Sequence, residues 1–246
     1  MKMHFPFDPV ERSKEVERAV MKDGKRLYYR FRAAPYYGGI ATADAIGCSF
    51  LCAYCWNYFR NLNPARFDKF YSPSQVASNL LRIARKKSFH LFRVTGSEPV
   101  LGERSLNHLV EVLKIIFSQM HDSTFILETN GFFLGCRTDL IENINFRNLW
   151  IRISLKGVDE ESFEAIAGVS REFFKYPLIA LKKMEDQGLK VWPAVMRNLF
   201  ADDELARLSK RLSEMEIKAR LEEEVLEVYP IVLENMEKRG IEIKRL

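Results

Sequence analysis

Three of the four cysteines in this 246-residue chain lie close together in the sequence. Cys48, Cys52 and Cys55 occupy positions i, i+4 and i+7, so one short loop can bring three sulfur atoms to one compact group. Thiolates bind zinc and the iron of iron–sulfur clusters. Three thiolates do not complete a four-cysteine site. Either a fourth ligand comes from elsewhere in the chain, or one coordination position stays open to a small molecule.

The same spacing is compatible with a structural zinc site that borrows a distant histidine, or with a cluster of reactive thiols. A disulfide framework is not expected, because cysteines are few for this length and the first residues lack the apolar stretch of a signal peptide. A metal or redox site is therefore the preferred interpretation. The histidines are scattered, and none stands at a distance from the cysteines that is typical of a shared metal site. They are His4, His90, His108 and His121.

The composition is that of a globular protein, with 47% apolar and 29% charged residues. It argues against disorder, collagen and low complexity. No run of about 18 apolar residues occurs, so we expect a cytoplasmic protein without membrane contact. The net charge of +5 is modest, but it is unevenly distributed. Residues 57–93 hold eight Lys or Arg and one Asp, and this basic part adjoins the cysteines.

Short β-rich segments alternate with segments of helical periodicity, which is typical of parallel βα units. Residues that begin helices support this division. Ser72 precedes a proline as a helix cap, Asp159 caps a second helix, Asp202 or Asp203 opens a third, and Pro230 starts the last. The predicted strands cover residues 39–47, 89–94, 125–127, 149–155, 191–195 and 225–228, with a short edge strand at 241–243.

These units predict an α/β fold in which right-handed crossovers roll the strands into a partial (βα)6 barrel, similar to a TIM barrel. Residues 1–38 are expected to form an N-terminal extension that packs on the barrel, and residues 39–246 the barrel domain. Ligands of such folds gather at the carboxyl ends of the strands. Polar motifs follow the predicted strands at that end, namely the cysteine segment, Gly96-Ser-Glu98, Glu128-Thr-Asn-Gly131 and Lys156.

The cysteine motif, with the aromatic Tyr54 before its last cysteine, resembles that of the radical S-adenosylmethionine (radical SAM) superfamily. The resemblance implies that Cys48, Cys52 and Cys55 hold a [4Fe–4S] cluster whose fourth iron binds the amino and carboxylate groups of S-adenosylmethionine. An electron from the reduced cluster then cleaves the sulfonium, and the 5′-deoxyadenosyl radical abstracts hydrogen from a substrate. The cofactor carries this chemistry, while the protein positions and shields it.

A second motif, Thr95-Gly-Ser-Glu-Pro99, resembles the Gly-Gly-Glu-Pro motif of the same superfamily. Ser97 stands where the family has its second glycine. Physically, the segment is a turn at a strand end with free backbone carbonyls and one carboxylate, and such groups suit an ammonium. The resemblance implies that Gly96, Ser97 and Glu98 bind the methionine amino group, beside Tyr54.

Three further segments are similar to the glycyl-radical-activating branch, such as the pyruvate formate-lyase activating enzyme. They are Cys55-Trp-Asn57, Glu128-Thr-Asn-Gly131 and Ile153-Ser-Leu-Lys156. The resemblance implies that Lys156 meets the carboxylate of S-adenosylmethionine and that Ser154 lies near its ribose. Val195, on the fifth predicted strand, is a candidate contact of the adenine. Glu128 and Ser154 replace two aspartates of that branch, so a monovalent cation site there is expected to be altered or lost.

Several questions stay open at the level of the sequence. The substrate is either a glycine of a partner protein, or an RNA or small anionic metabolite attracted by the basic residues; a non-catalytic zinc-binding module is the third alternative. The basic residues after the cysteine loop also suit an acidic one-electron donor, a ferredoxin or flavodoxin. Cys136 is expected to be a buried, inert thiol. The sequence does not decide the oligomeric state or whether S-adenosylmethionine is consumed.

Overall fold

The computed structural model describes residues 4–244, which form one mixed β-sheet with helices packed around it. No helix among these residues has the length and apolar character needed to cross a lipid bilayer. The strands are β1 (Met21–Lys22), β2 (Lys25–Ala34), β3 (Ile40–Ala45), β4 (Phe70–Tyr71), β5 (Leu91–Thr95), β6 (Thr124–Thr129), β7 (Leu149–Ser154), β8 (Lys190–Met196) and β9 (Glu222–Glu224). The α-helices are α1 (Pro9–Val20), α2 (Tyr58–Leu62), α3 (Pro73–Lys87), α4 (Glu103–Gln119), α5 (Phe132–Cys136), α6 (Glu160–Ala167), α7 (Lys175–Asp186), α8 (Asp202–Glu214) and α9 (Pro230–Lys238).

The sheet has the strand order β1-β2-β3-β5-β6-β7-β8-β9, with β4 paired to β2. Along this strand order, each pair from β3 to β9 is parallel, whereas β2 runs antiparallel to β3. This confirms the predicted α/β fold and the partial barrel, since β9 and β1 end the sheet without closing it. The segment before residue 39 contributes β1 and β2 to the same sheet, and its separation as an extension stays a prediction.

Each barrel strand presents one face to the helices and the other to the barrel interior. On β3, for example, Ala41, Ala43 and Ala45 pack in the main core with the helices, while Thr42 and Asp44 alternate with them and are also fully buried. Parallel strands are covered on both faces, which explains their lack of exposed positions. The floor of the interior, at the amino ends of the strands, is apolar and contains Ala34, Ile40, Leu91, Ile126 and Trp192.

The predicted helix starts are confirmed by their hydrogen bonds. The hydroxyl of Ser72 accepts from the backbone N–H of Gln75 at 3.3 Å, and the Gln75 side chain accepts from the Ser72 N–H at 2.9 Å. Asp159 accepts from the N–H of Ser162 at 2.8 Å. These contacts satisfy backbone donors that the first helical turn leaves without partners. They fix where α3 and α6 begin after their loops.

The last parallel strand differs from its prediction. We expected it at residues 225–228 because valines cluster there, yet β9 covers Glu222–Glu224, and residues 241–243 form no strand. The reason is electrostatic. Glu222 and Glu224 pair with Arg152 of β7, at 2.9 Å and 2.6 Å, and Glu223 pairs with Arg197. Ion pairs across the sheet therefore place this strand, and hydrophobic patterning does not.

A close approach between α5 and α7 offers a test of the packing. A Cβ atom at Gly135 would lie 2.0 Å from the backbone carbonyl oxygen of Tyr176, so Gly135→Ala forces these helices apart. We expect a loss of about 3 kcal/mol in the free energy of unfolding, measured by urea titration. Gly24→Ala is the control, because nothing lies within 4 Å of its Cβ position and only its φ of +72° opposes the change. Equal unfolding midpoints for Gly135→Ala and the wild type would contradict this packing.

Candidate functional site

The cysteine loop follows β3 and is held from three sides. The N–H groups of Leu51 and Ala53 donate to carbonyls at the end of α6, at 3.1 Å and 2.9 Å. Arg12 of α1 donates to the Cys48 carbonyl at 3.2 Å. Arg239, after α9, donates to the Leu51 carbonyl at 2.6 Å. The backbone of the loop is thus fixed by distant parts of the chain.

All three thiols of the loop line one cavity of about 810 Å³. This volume lies within the range of about 300–1,000 Å³ that is usual for small-molecule sites. Burial raises the pKa of Cys48 to about 12 and the pKa values of Cys52 and Cys55 to about 11. Such thiols are poor nucleophiles until a cation stabilises the thiolate. The alternative of a reactive thiol cluster is therefore disfavoured.

The surroundings of the sulfur atoms fit thiolates that bind a metal cluster. The side-chain amide of Asn61 donates to the Cys55 sulfur at 3.6 Å, and that of Asn130 to the Cys48 sulfur at 3.9 Å. The N–H of Phe50 also donates to Cys48, at 3.4 Å. Hydrogen bonds to cluster sulfurs and their ligands are a known means of stabilising and tuning iron–sulfur centres.

The zinc alternative finds no matching site. Among residues 4–244, no group of three His, Cys, Asp or Glu side chains is arranged to hold a single metal ion. No histidine of this part of the chain lines the cavity. His108, the one that is buried, instead contacts the Gly24 carbonyl through Nδ1 at 3.1 Å. The three thiols suit a larger group with a position left open, as a [4Fe–4S] cluster has.

The Thr95–Pro99 motif lies in the wall of the same cavity. Gly96 adopts φ +84°, a conformation that glycine tolerates best. From the sequence we expected the Gly96 carbonyl to be free. It instead accepts from Asn57 at 2.5 Å and from Asn61 at 3.2 Å. Within the described residues the Ser97 hydroxyl is buried and has no partner. Ser97 therefore offers a free polar group to a ligand.

Glu98 is buried and supports the neighbouring strand end. Its carboxylate accepts from the Thr129 hydroxyl at 2.6 Å and from the N–H groups of Asn130 and Val100 at 2.7 Å and 3.1 Å. Burial raises the pKa of Glu98, although these hydrogen bonds counteract the shift. Arg26 donates to the Glu98 carbonyl at 2.6 Å. The carboxylate thus lines the cavity while it ties the ends of β5 and β6 together.

Tyr54, Ser154 and Lys156 also line the cavity. The ammonium of Lys156 lies 5.4 Å from the centre of the Tyr54 ring. Burial alone would lower the pKa of Lys156, but attraction to Tyr54 and Cys52 outweighs it and raises the pKa. The Tyr54 hydroxyl is buried and makes no close hydrogen bond in residues 4–244, and Lys156 is its charged neighbour. An ammonium and a phenolic hydroxyl thus lie together near the cysteines.

Two candidate residues lie elsewhere than the sequence suggested. Val195 is buried among the helices on the outer face of β8, so strand alternation turns its neighbour Met196 toward the cavity. Cys136 was expected to be buried, and this is wrong. It is the last residue of the single-turn helix α5 and is exposed.

The interior of the barrel also carries a layer of charges that the sequence analysis did not identify as a site. Arg93 pairs with Glu128 at 2.8 Å, and Arg152 pairs with Glu222 and Glu224. These residues alternate with outward apolar residues along β5 and β7, which is a signal that the sequence does contain. Their mutual pairing across strands was not visible without the fold. Further charged or hydroxyl groups that line the same cavity are Arg30, Arg32, Tyr36, Tyr37, Glu227 and Tyr229.

The comparisons with known proteins agree with this geometry. The model of the Radical SAM superfamily matches residues 45–201. The GTP 3′,8-cyclase of Microcystis aeruginosa (strain NIES-843 / IAM M-2473) is 28% identical over 121 residues, or 49% of this chain and 35% of that protein. The enzyme of the same name from Nostoc punctiforme is 26% identical over an equal length, again 35% of it. The chain thus matches about a third of the length of these curated relatives.

Two solved structures share the fold. A spore photoproduct lyase variant with bound AdoMet and dinucleoside spore photoproduct superposes with a TM-score of 0.61 and 16% identity, covering 85% of this chain and 63% of that one. Native anSMEcpe with bound AdoMet gives a TM-score of 0.50 and 17% identity, covering 71% of this chain and 48% of the other. The family model covers more than half of the sequence and includes the three clustered cysteines. The chain therefore belongs to the radical SAM superfamily, whose enzymes use a [4Fe–4S] cluster and S-adenosylmethionine.

Proposed function

We propose that this enzyme removes a hydrogen atom from a small anionic substrate held in the same cavity as the cluster and S-adenosylmethionine. The observation that carries this proposal is the common cavity, whose wall contains both the three thiols and four arginines. Arg93 and Arg152 are paired with glutamates of the same wall, which leaves Arg30 and Arg32 to attract an anion. When bound and reduced, the cluster supplies the electron that splits the sulfonium and gives a 5′-deoxyadenosyl radical. The protein residues hold, orient and enclose these groups.

The positions of the side chains suggest how each ligand is held. Cys48, Cys52 and Cys55 would bind three irons, and the amides of Asn61 and Asn130 would stabilise the charge on their sulfurs. No fourth thiol reaches the loop, since Cys136 is exposed at the end of α5. The fourth iron is then free to take the amino and carboxylate groups of S-adenosylmethionine.

We assign the S-adenosylmethionine contacts to groups that line the cavity beside the cysteines, of which the Ser97 hydroxyl makes no hydrogen bond in residues 4–244. The Ser97 hydroxyl and the turn Gly96–Glu98 would meet the methionine amino group, and Lys156 its carboxylate. Ser154 would lie near the ribose. Tyr54 would contact the adenine. Val195 would support the adenine surface only from behind, through Met196.

Three observations favour a small anionic substrate over the alternatives. The curated relatives are named for GTP, a phosphorylated nucleoside, and none of the relatives named above is a glycyl-radical activating enzyme. An RNA surface is disfavoured because Tyr28 and Phe31 stack on each other at 5.8 Å and pack inward. The hydroxyls of Tyr36 and Tyr37 donate to Glu227 and Glu128 in the wall of the cavity, so these two tyrosines belong to the small-molecule cavity.

The electron donor is proposed to dock beside α2. Trp56 directly follows the last cysteine and is 39% exposed, and Phe59 is 52% exposed. Arg66 lies 5.6 Å from the Phe59 ring, and Arg60 lies 4.4 Å from the ring of Tyr29. This exposed aromatic and basic surface suits an acidic ferredoxin or flavodoxin, because complementary charge steers encounters. It also lies one residue from the thiol of Cys55.

The ligand assignment is tested first by Cys52→Ala. We expect the variant to lose the charge-transfer absorbance of the reconstituted cluster and the formation of 5′-deoxyadenosine with dithionite, because two thiolates do not hold the cluster. Cys136→Ala is the matched control and should retain both, since Cys136 is exposed on α5. Wild-type yields of 5′-deoxyadenosine from Cys52→Ala would overturn the proposed function.

A second test separates cofactor binding from cluster binding. Lys156→Met removes the ammonium next to Tyr54, and we expect the KM for S-adenosylmethionine to rise by about tenfold or more, equivalent to about 1.4 kcal/mol. The cluster absorbance should be unchanged. Lys190→Met serves as the control, because that ammonium lies 5.3 Å from the ring of Trp150 at the start of β7, where the strands begin. An unchanged KM in Lys156→Met would refute the assignment of the carboxylate.

A further inference from the structure

Two arginines of β2 share a single buried carboxylate. Asp44 is fully buried and accepts from Nε of Arg30 at 2.5 Å. It also accepts from Nε and Nη2 of Arg32, at 2.8 Å and 3.2 Å. The group of three therefore carries one positive charge in excess. Both arginines line the cavity, and their side chains are 47% and 25% exposed.

A β-bulge aims these two side chains inward. The pairing of β2 with β3 shifts by one residue between Tyr28 and Arg30, so Tyr29 is the extra residue. Beyond the bulge, Phe31 lies on the face of Tyr28, and Arg30 and Arg32 lie on the other face. Bulges re-aim side chains in this way and are frequent next to active sites. Without the shift, Arg30 would share a face with Tyr28.

The remaining N–H groups distinguish this pair from Arg152, another arginine of the cavity, whereas Arg93 uses Nε and Nη1 on Thr42 and Glu128 and is nearly inaccessible to solvent. Arg152 uses all three of its side-chain nitrogens on Glu222, Glu224 and Ser154. Among the hydrogen bonds of residues 4–244, neither terminal nitrogen of Arg30 donates, and Nη1 of Arg32 does not donate either. Asp44 holds the Nε edges, which leaves terminal N–H groups for a second partner. Guanidinium forks of this kind match oxyanions.

The chain already places one carboxylate near this pair. Glu227, on the segment after β9, accepts from the hydroxyls of Tyr229 and Tyr36, at 2.5 Å and 2.7 Å. Those hydrogen bonds, together with the charges of Arg32 and Arg93, lower the pKa of Glu227. An anionic group is therefore stabilised in the part of the cavity that Arg32 and Arg93 line. A ligand oxyanion entering here would compete with Glu227.

We infer that Arg30 and Arg32, clamped by Asp44, form the subsite that binds an oxyanion of the substrate. The ligand class is a small molecule with a phosphate or carboxylate group. This inference rests on the proposed function, since it names the substrate chemistry of the same cavity. Binding at this subsite leaves the rest of the substrate in the same cavity as the S-adenosylmethionine site. The pair thus selects the substrate and does not take part in the cleavage of the cofactor.

Calorimetric titration of the reconstituted enzyme tests this subsite, with pyrophosphate and malonate as probes for the two sources of the oxyanion. We expect at least one probe to bind. Arg30→Gln and Arg32→Gln should each weaken its affinity by about tenfold. Glu227→Gln should tighten it severalfold, because the competing carboxylate is removed. Arg147→Gln is the control, since this arginine is exposed and lies outside the cavity, and its affinity should equal that of the wild type.

Each outcome of the titration decides the inference. Binding of pyrophosphate alone assigns a phosphate, and binding of malonate alone assigns a carboxylate. No binding of either probe to the wild type, or equal affinity in Arg30→Gln, Arg32→Gln and the wild type, overturns the subsite. The 5′-deoxyadenosine yield of the same wild-type preparation tests the proposed function separately. Cleavage without oxyanion binding refutes only the subsite, and binding without cleavage refutes the proposed function.

Discussion

The side chain of Asn61 connects three parts of the site through one buried amide. Its oxygen accepts from the N–H of Gly47 at 3.0 Å, and its nitrogen donates to the Gly96 carbonyl at 3.2 Å and to the Cys55 sulfur at 3.6 Å. The backbone carbonyl of Asn61 accepts from Arg12 at 2.7 Å. The ends of β3 and β5, the cysteine loop and α1 are therefore held in one register. A buried amide that loses such partners costs about 1–3 kcal/mol for each unsatisfied group, so the arrangement is strongly specified.

The interior of the barrel is charged, and this is possible only because charges are paired there. Arg93 and Arg152 are nearly inaccessible to solvent, and each contacts at least one glutamate from another strand of the sheet. An unpaired charge at such a position would be expensive to desolvate. This layer of paired charges thus lies between the cavity and the apolar floor of the barrel interior. The same layer explains why three consecutive glutamates can form the last strand of the sheet.

The motifs that identify the superfamily and the side chains that we propose for substrate recognition lie in different parts of the chain. The cysteine loop and the turn after β5 are short sequence motifs, and they carry the chemistry of the cofactor. In the function that we propose, the substrate is instead recognised by side chains from β2, β5, β7 and the segment after β9, which are far apart in the sequence. The curated relatives are about a quarter identical to this chain over half of its length. This similarity supports the radical chemistry more strongly than it supports a particular substrate.

The amino-acid sequence was enough to predict that Cys48, Cys52 and Cys55 lie together, that strands and helices alternate, that Ser72 and Asp159 cap helices, and that polar motifs at the strand ends line the site. These features are local, since they depend on spacing, periodicity and a few neighbouring residues. The tertiary structure decided the strand at residues 222–224, the outward position of Val195, the exposure of Cys136 and the pairing of Asp44 with two arginines. Each of these depends on which strands lie side by side and on which face a residue points to. Charges on separate strands become partners only when the sheet is formed, and no local pattern specifies that pairing.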